Sequence, residues 1–282
     1  MAEEKKELTP IQQISKFMNG NDVKAKFAEM LGARAPQFIS SVMSAVNANP
    51  MLHKATQMSV YGSALMAATL DLPVNGNLGF AYIVPFTSKK KDPQTGRDYY
   101  ENEAQFQLGS KGFIQLAMRS GQYAKINVSE IYEGQLKIVN PVTEEYKFNK
   151  PKSDKIVGYI AYFKLLNGFE KYLYMTVDEL KKHGEKYSKT YEYGVWNSNF
   201  DAMARKTVIK RLLSKYGILS IEMQKAQVFD QAVVSPTTVD VQDIADEDIT
   251  YVDNEPAEAT EEEKQQMTEK QQKVADFMKE NK

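Results

Sequence analysis

Cysteine is absent from this chain of 282 residues, so neither a disulfide nor a thiolate-ligated metal site can hold it together. Only two histidines occur, His53 and His183, and two are too few for an ordinary zinc site. The longest apolar runs, such as residues 64–70, fall far short of the roughly 20 residues that a membrane-spanning helix needs. The acidic start MAEEKKEL does not have the pattern of a signal peptide. We therefore expect a cytoplasmic protein without a membrane partner.

Motifs for nucleotide hydrolysis and for nucleophilic catalysis are also missing. No GxxxxGK(S/T) phosphate loop occurs, no GxGxxG follows a predicted strand, and neither histidine belongs to a triad-like pattern. Four carboxylates stand among basic strands, where a metal-dependent nuclease is possible in principle, but their spacing does not single them out: Glu101, Glu103, Glu144 and Asp154. The sequence favours a binding protein that is not an enzyme, needs no cofactor and works without ATP.

The composition is typical of a soluble globular protein, with 42% hydrophobic, 26% charged and 11% aromatic residues. The net charge of −1 conceals an uneven distribution. Residues 1–229 contain 31 Lys and Arg against 22 Asp and Glu, a net +9, whereas residues 230–282 contain 5 Lys against 15 Asp and Glu, a net −10. A basic body attracts a polyanion, and the acidic tail can compete for that surface or dock to another protein.

The stretch AQFQLGSKGFIQLAMRSG, residues 104–121, changes from a period of two to a period of 3.6. This pattern predicts a strand, a glycine turn and a helix, with Ser110 as N-cap and Gly121 as C-terminal cap. Lys111 and Arg119 fall on one helix edge beside the polar strand residues Gln105 and Gln107. This arrangement suits a run of phosphates, although charges at this spacing are also typical of a merely solvated helix face.

The rest of the chain alternates between helical and extended patterns. Residues 8–72 have helical spacing throughout, and the last helix, 59–71, is predicted to end before Pro73. Strands are predicted at 79–86, 98–108, 123–131, 136–139, 144–148, 156–166 and 169–175. Residues 87–97 are predicted to form a basic loop, and Lys89, Lys90 and Lys91 are either solvated or trail along a phosphate backbone.

Two local signals define the end of the predicted sheet region. Asn167-Gly168 is a strong hairpin signal, and Thr176 with Glu179 forms a capping box that begins a helix over 177–186. The aromatic loop 187–196, with Tyr187, Tyr191, Tyr193 and Trp196, is interpreted as a small satellite core, with base stacking as the alternative.

A second cationic helix is predicted over residues 199–216. Lys206 and Lys210 fall along the edge of its apolar arc, and Arg205 falls inside that arc, where a charge must be paired or reach the surface. Arg211 and Lys215 point elsewhere. Beyond Phe229 the chain is acidic and poor in apolar residues, which predicts a flexible linker with a short helical docking segment near 257–279; disorder without a role is the alternative.

Three motifs together carry a family resemblance: LGFAYIVPF, then QFQLGSKGFIQLAMRSG, then MARKTVIKRL. In this order they resemble the RecT family of phage-encoded single-strand annealing recombinases, of the type found in a Gram-positive bacterium or its phage. The resemblance covers approximately residues 40–220. It implies an α+β fold, in which helices back a curved antiparallel sheet, distantly similar to annealing proteins of the Rad52 type.

The resemblance also implies a protein that coats single-stranded DNA, assembles into rings or helical filaments, and anneals complementary strands through a duplex intermediate. A phage exonuclease is the expected partner, and a host single-strand binding protein is a candidate partner of the acidic tail. The DNA contacts that it implies, together with their neighbours in the motifs, are Lys111, Arg119, Lys125, Arg205, Lys206, Gln105, Lys210 and Gln107.

These predictions divide the chain into a helical section for oligomerisation (1–75), an α+β annealing core (76–229) and an acidic tail (230–282). The 104–121 stretch is predicted to form one wall of a DNA groove, and Arg205 with Lys206 the other. A passive single-strand coating protein and a metal-dependent nuclease are the alternative functions.

Overall fold

The computed structural model describes residues 8–140, 142–188, 190–192, 194–218, 220–230, 232–234 and 249–251. Its helices are α1 (Pro10–Met18), α2 (Asn21–Leu31), α3 (Ala35–Ala48), α4 (Gln57–Thr69), α5 (Ser110–Arg119), α6 (Val177–Tyr187), α7 (Val195–Ser198), α8 (Phe200–Tyr216) and α9 (Ile221–Phe229). Its strands are β1 (Ala81–Lys91), β2 (Asp98–Leu108), β3 (Tyr123–Tyr132), β4 (Leu136–Asn140), β5 (Glu145–Phe148), β6 (Ile156–Leu165), β7 (Glu170–Thr176), β8 (Ala232–Val234) and β9 (Ile249–Tyr251).

The strands form antiparallel ladders, which confirms the predicted α+β class. β1 and β2 form a long hairpin, β6 lies between β3 and β7, β4 pairs with β5, and β8 pairs with β9. The predicted hairpin at Asn167-Gly168 joins β6 to β7, with Gly168 in the left-handed region at φ +90°. The capping box of Thr176 and Glu179 begins α6 as predicted.

Helix α4 joins the helical section to the hairpin. Residues 59–68 are all buried, because small side chains let neighbouring elements approach this helix on every side. Ser59 Oγ accepts a hydrogen bond from Ala104 N at 2.8 Å, and Ser63 Oγ donates to Ala104 O at 3.1 Å. One hydrophobic core therefore runs from Ile14 in α1 to Phe229 in α9, and the core has no break near residue 75.

Strand β1 extends beyond its predicted end at Phe86 and includes the three lysines that were expected in a loop. Lys89 pairs with Asp98 across the hairpin at 2.6 Å, and Lys90 pairs with Glu101 at 2.5 Å and Glu103 at 2.6 Å. The sequence suggested a loop because lysines are poor strand formers, but cross-strand charge pairs stabilise them here. The turn is confined to residues 92–97.

The glycines before and inside α5 permit a close approach of two backbone segments. The helix begins as predicted, but its N-cap is Gly109, and Ser110 is its first residue. A Cβ atom at Gly109 would lie 2.1 Å from Gly79 O, and one at Gly112 would lie 2.2 Å from Phe80 O. Only glycine fits where residues 79 and 80 cross the start of this helix. Gly121 has φ +67°, as its predicted cap position requires.

Helix α8 packs on one face of the β3–β6–β7 sheet, against Tyr159, Ala161 and Phe163. Its bounds agree with the prediction, and the Asn199 side chain caps it by accepting a hydrogen bond from Ala202 N at 3.2 Å. Helix α9, which follows α8, was not predicted from the sequence. None of the helices in the described ranges is long and apolar enough to cross a membrane.

The aromatic loop forms a small core at the start of α8. Trp196 is buried, and its ring centroid lies 5.8 Å from Phe200, 6.1 Å from Tyr191 and 6.4 Å from His183. This packing agrees with the satellite-core interpretation. Tyr193 and the predicted docking segment 257–279 lie outside the described residues.

Candidate nucleic-acid interface

A buried carboxylate joins the two predicted walls of the groove. Asp230 Oδ1 lies 2.9 Å from Lys206 Nζ, and Asp230 Oδ2 lies 2.7 Å from Lys210 Nζ. Asp230 Oδ1 also accepts a hydrogen bond from Leu108 N at 2.9 Å, at the end of β2. The chain segment 104–121 and helix α8 are therefore neighbours, as predicted, and Asp230 lies between them.

The position of Asp230 corrects two predictions. Its side chain is completely buried, so this residue belongs to the folded body and not to the tail. Lys206 was predicted at the edge of the apolar arc as a DNA contact, but it is buried because its ammonium turns toward Asp230. Burial alone would raise the pKa of Asp230, but the two ammonium groups outweigh this effect and hold the pKa at about 2. The cluster of two cations and one anion keeps a net positive charge, and Lys210 retains partial exposure.

Arg205 is paired within the protein, as its position in the apolar arc requires. Its guanidinium forms ion pairs with Asp201 Oδ2 at 2.9 Å and with Glu130, and it donates to Val128 O at 3.1 Å. These contacts tie α8 to β3. Two carboxylates surround one guanidinium, so the local charge does not favour a phosphate at this point.

Arg119 binds the C-terminal end of helix α4. Its Nη1 donates to Leu70 O at 2.5 Å and its Nη2 donates to Asp71 O at 2.7 Å. Asp71 follows α4 in a left-handed conformation with φ +48°, and its carboxylate pairs with Arg34 at 2.7 Å. Arg119 therefore stabilises a helix terminus whose carbonyl groups have no partner inside the helix.

The two predicted glutamines differ in exposure. Gln105 is buried with only 2% of its surface exposed, which corrects the expectation of a solvent-facing polar strand. Gln107 is half-buried, and its Nε2 donates to Gln105 Oε1 at 3.0 Å. Both faces of β2 are covered near its end, so Gln105 does not lie on an open surface.

Lys111 and Lys125 are exposed at the surface, as predicted. The aliphatic part of Lys111 lies over Gly79, where an added Cβ atom would be 3.4 Å from Lys111 Cδ, and no carboxylate in the described part of the chain pairs with its ammonium. Lys125 is opposite Lys164 in the β3–β6 ladder. Glu170 is opposite Lys164 in the neighbouring β6–β7 ladder. A hydrogen bond from Tyr162, followed by the charges of Lys164 and Lys125, lowers the pKa of Glu170.

Of the eight predicted contacts, the structure thus leaves the ammonium groups of Lys111, Lys125 and, in part, Lys210 open to a ligand. Within the described ranges, no group of three or more acidic or histidine side chains is arranged to hold a metal ion.

Comparison with known proteins places this arrangement in a family. The model of the RecT family matches residues 36–250. The chain belongs to the RecT family. It is 45% identical over 268 residues to the uncharacterized protein YqaK of Bacillus subtilis (strain 168), an alignment that covers 93% of this chain and 88% of YqaK. It is 28% identical over 232 residues to Protein RecT of Escherichia coli (strain K12), covering 80% of this chain and 82% of that protein.

Membership in the RecT family supports a role in single-strand annealing during DNA recombination. The mixed helical and antiparallel architecture is consistent with the fold that the resemblance implied. Every predicted DNA contact lies inside the matched residues 36–250, and so does Asp230. Helices α1 and α2 of this RecT-family chain precede the matched range.

The sequence analysis missed Asp230 as a partner of the α8 lysines because it was counted with the acidic tail. A signal for it exists in the preceding residues, since Met223, Ala226 and Phe229 have helical spacing and are buried. An acid directly after an amphipathic helix can still belong to the body of the protein.

Proposed function

We propose that this RecT-family chain binds single-stranded DNA and anneals complementary strands without ATP. The observation that carries the proposal is the family match over residues 36–250, which includes the exposed Lys111 and Lys125 and the partly exposed Lys210. The body that bears these lysines has a net charge of +9 over residues 1–229. These features support a surface that attracts a polyanion.

Annealing follows from how such a surface holds a strand. Lysine ammonium groups contact backbone phosphates and release counterions, so affinity falls as salt rises. A strand held by its backbone keeps its base edges free, and a second strand can test its pairing against them. Specificity then comes from complementarity, and the protein reads no sequence. The chemistry needs no bond cleavage, in keeping with a chain that lacks a phosphate-loop motif.

Self-association is part of the proposal, because neighbouring subunits must continue the surface along the strand. The helical section is the proposed contact. An open, mainly apolar cavity of about 790 Å³ lies between α1, α2 and α4, with Phe17, Val23 and Met58 in its lining. Apolar surface of this kind supports burial against a second copy.

The partners in the proposal are those that accompany annealing in a bacterial cytoplasm. A phage exonuclease would expose the strand, and a host single-strand binding protein would meet the acidic tail, residues 231–282. The tail carries 14 Asp and Glu against 5 Lys, which suits docking to a basic surface.

A test mixes complementary oligonucleotides with the purified chain, without ATP and with or without magnesium. We expect duplex to form faster than in the absence of protein under both conditions. Strand binding without faster pairing would instead indicate a passive coating protein. Magnesium-dependent fragments would indicate a nuclease. Either result would overturn the proposal.

A further inference from the structure

A cleft between α6 and α8 is lined by cations beyond those of the predicted groove. Two adjoining cavities of about 350 Å³ and 410 Å³ share His183 from α6 and Arg211 from α8 in their linings. The larger cavity adds Lys182 and Lys186 from α6, and the smaller adds Lys206 and Lys210 from α8. Arg211 was predicted to point away from the DNA contacts and to serve only solubility.

The carboxylates around this cleft are already engaged. Glu179 lines the larger cavity, but its Oε2 accepts hydrogen bonds from Thr176 N at 2.8 Å and Thr176 Oγ1 at 2.9 Å in the α6 capping box. Asp230 is bound to Lys206 and Lys210. The cleft therefore has more cations than anions, and the excess faces solvent.

Arg211 forms no ion pair with a carboxylate in the described part of the chain. It is exposed, and in the described part of the chain its hydrogen-bonding partner is the sulfur of Met175 at 3.7 Å, which is a weak acceptor. Lys186 contacts only the ring of Tyr187, at 5.2 Å from its centroid, among the described residues. A planar guanidinium without a carboxylate partner is well suited to bind a phosphate group through two parallel hydrogen bonds.

The positive charge of the cleft also affects the pKa of His183, which lines both cavities. Burial, followed by the charges of Arg211, Lys210 and Lys186, lowers the pKa of His183 to about 4. Three cations from two helices thus act on one imidazole.

We propose that the α6–α8 cleft is a phosphate-binding site that takes the backbone of a single DNA strand, with Arg211 as its anchor and Lys182, Lys186 and Lys210 along the strand. This inference rests on the proposed function and extends it to Arg211, Lys182 and Lys186, which the family resemblance did not assign. Lys182 and Lys186 are one helical turn apart, a rise of about 6 Å, so the cations form a row. A row suits a polyanion better than a single small anion.

Continuity with the predicted groove supports the choice of ligand. Lys210 binds Asp230 on one side, and Asp230 accepts a hydrogen bond from Leu108 N, three residues before Lys111. Lys210 also lines the smaller cavity of the cleft. The cleft and the 104–121 segment therefore meet at Asp230, and the proposal extends one strand from the cleft toward Lys111.

The test uses the full chain and the variants Arg211→Gln and Lys186→Gln, with Lys215→Gln as matched control. Lys215 is an exposed cation on the same helix, and its ammonium contacts the Tyr216 ring at 5.0 Å. We expect each cleft variant to lower the affinity for a labelled thymidine oligonucleotide about fivefold at about 0.1 M salt and to reduce the salt slope by about 0.7. Lys215→Gln should leave both quantities unchanged.

A second readout comes from the protein itself. Trp196 is the only tryptophan in the sequence and lines the smaller cavity, so its emission reports on this site. We expect strand binding to change the Trp196 emission, and Arg211→Gln to reduce that change while strand binding through Lys111 persists. Unaltered thermal unfolding of Arg211→Gln and Lys186→Gln, both at exposed positions, would establish that the variants are folded.

Three results would overturn the inference. Wild-type affinity and salt slope in both cleft variants, with unchanged Trp196 emission on strand binding, would remove the cleft from the interface while leaving the proposed function intact. An equal emission change with inorganic phosphate at the same phosphate concentration would assign the cleft to small anions. Failure of the wild-type chain to bind any strand would overturn both this inference and the proposed function.

Discussion

The carboxylate of Asp230 lies 2.9 Å from the ammonium of Lys206, and both groups are buried. This ion pair joins the C-terminal end of α9 to helix α8. The same carboxylate accepts a hydrogen bond from Leu108 N at the end of β2. Asp230, the first residue of the acidic region, therefore joins helix α8 to the end of β2.

Removing the charge of Asp230 should strongly destabilise the fold. Asp230→Asn keeps the size and one acceptor oxygen but leaves Lys206 buried without a counter-charge, so we expect a loss of about 3 to 5 kcal/mol in the free energy of unfolding. Urea denaturation, monitored by circular dichroism, measures this loss of stability. Asp98→Asn breaks the exposed pair with Lys89 and should have little effect. Equally small effects of the two substitutions would contradict the structural role of Asp230.

Truncation should have different consequences on the two sides of Asp230. A chain that ends at Tyr251 loses 9 Asp and Glu against 5 Lys, so we expect equal or tighter DNA binding. A chain that ends at Phe229 also loses Asp230 and the β8–β9 pair, so we expect a lower unfolding temperature. Thermal unfolding and oligonucleotide anisotropy measure the two effects. Identical behaviour of the two truncated chains would show that residues 230–251 add nothing to stability.

Substitutions of Lys111 and Arg119 should have different effects, although both residues lie on α5. Lys111→Ala removes an exposed ammonium, and we expect weaker DNA binding with a salt slope reduced by about 0.7. Arg119→Ala leaves the carbonyls of Leu70 and Asp71 without their donor, and we expect a loss of about 1 to 2 kcal/mol in stability. Anisotropy at several salt concentrations and urea denaturation distinguish the two. A normal salt slope in Lys111→Ala would assign Lys111 to a solvated helix face.

Stability should fall on acidification partly through His183. The pKa of His183 is lowered from 6.5 to about 4, first by burial and then by neighbouring cations. Between these values the unfolded chain binds a proton that the folded chain does not, so this contribution is complete above pH 6.5 and is lost as the pH falls toward about 4. His183→Gln should flatten the pH dependence of the urea midpoint over this range, and His53→Gln should not. A slope unchanged by His183→Gln would refute the assignment.

Local sequence patterns predicted most of the elements. The change of period at Gly109, the hairpin at Asn167-Gly168 and the capping box at Thr176 each depend on residues within a few positions of one another. Their physics is that of backbone sterics and nearby hydrogen bonds, which the sequence contains in full. The errors in elements arose where distant chain segments intervened, as in β1, whose lysines are stabilised by the opposite strand.

The sequence by itself therefore determined the alternation of helices and strands, the cationic helices and the uneven distribution of charge, and its resemblance to the RecT family implied the α+β class. Tertiary structure alone decided which of the described cations are paired within the protein. Arg119, Arg205 and Lys206 lie on the helices that were predicted to bind DNA, but their partners are Leu70, Glu130 and Asp230, which lie 24 to 75 residues away along the chain. Whether a charged side chain is paired depends on the groups within a few ångströms of it, and the tertiary structure determines which groups those are.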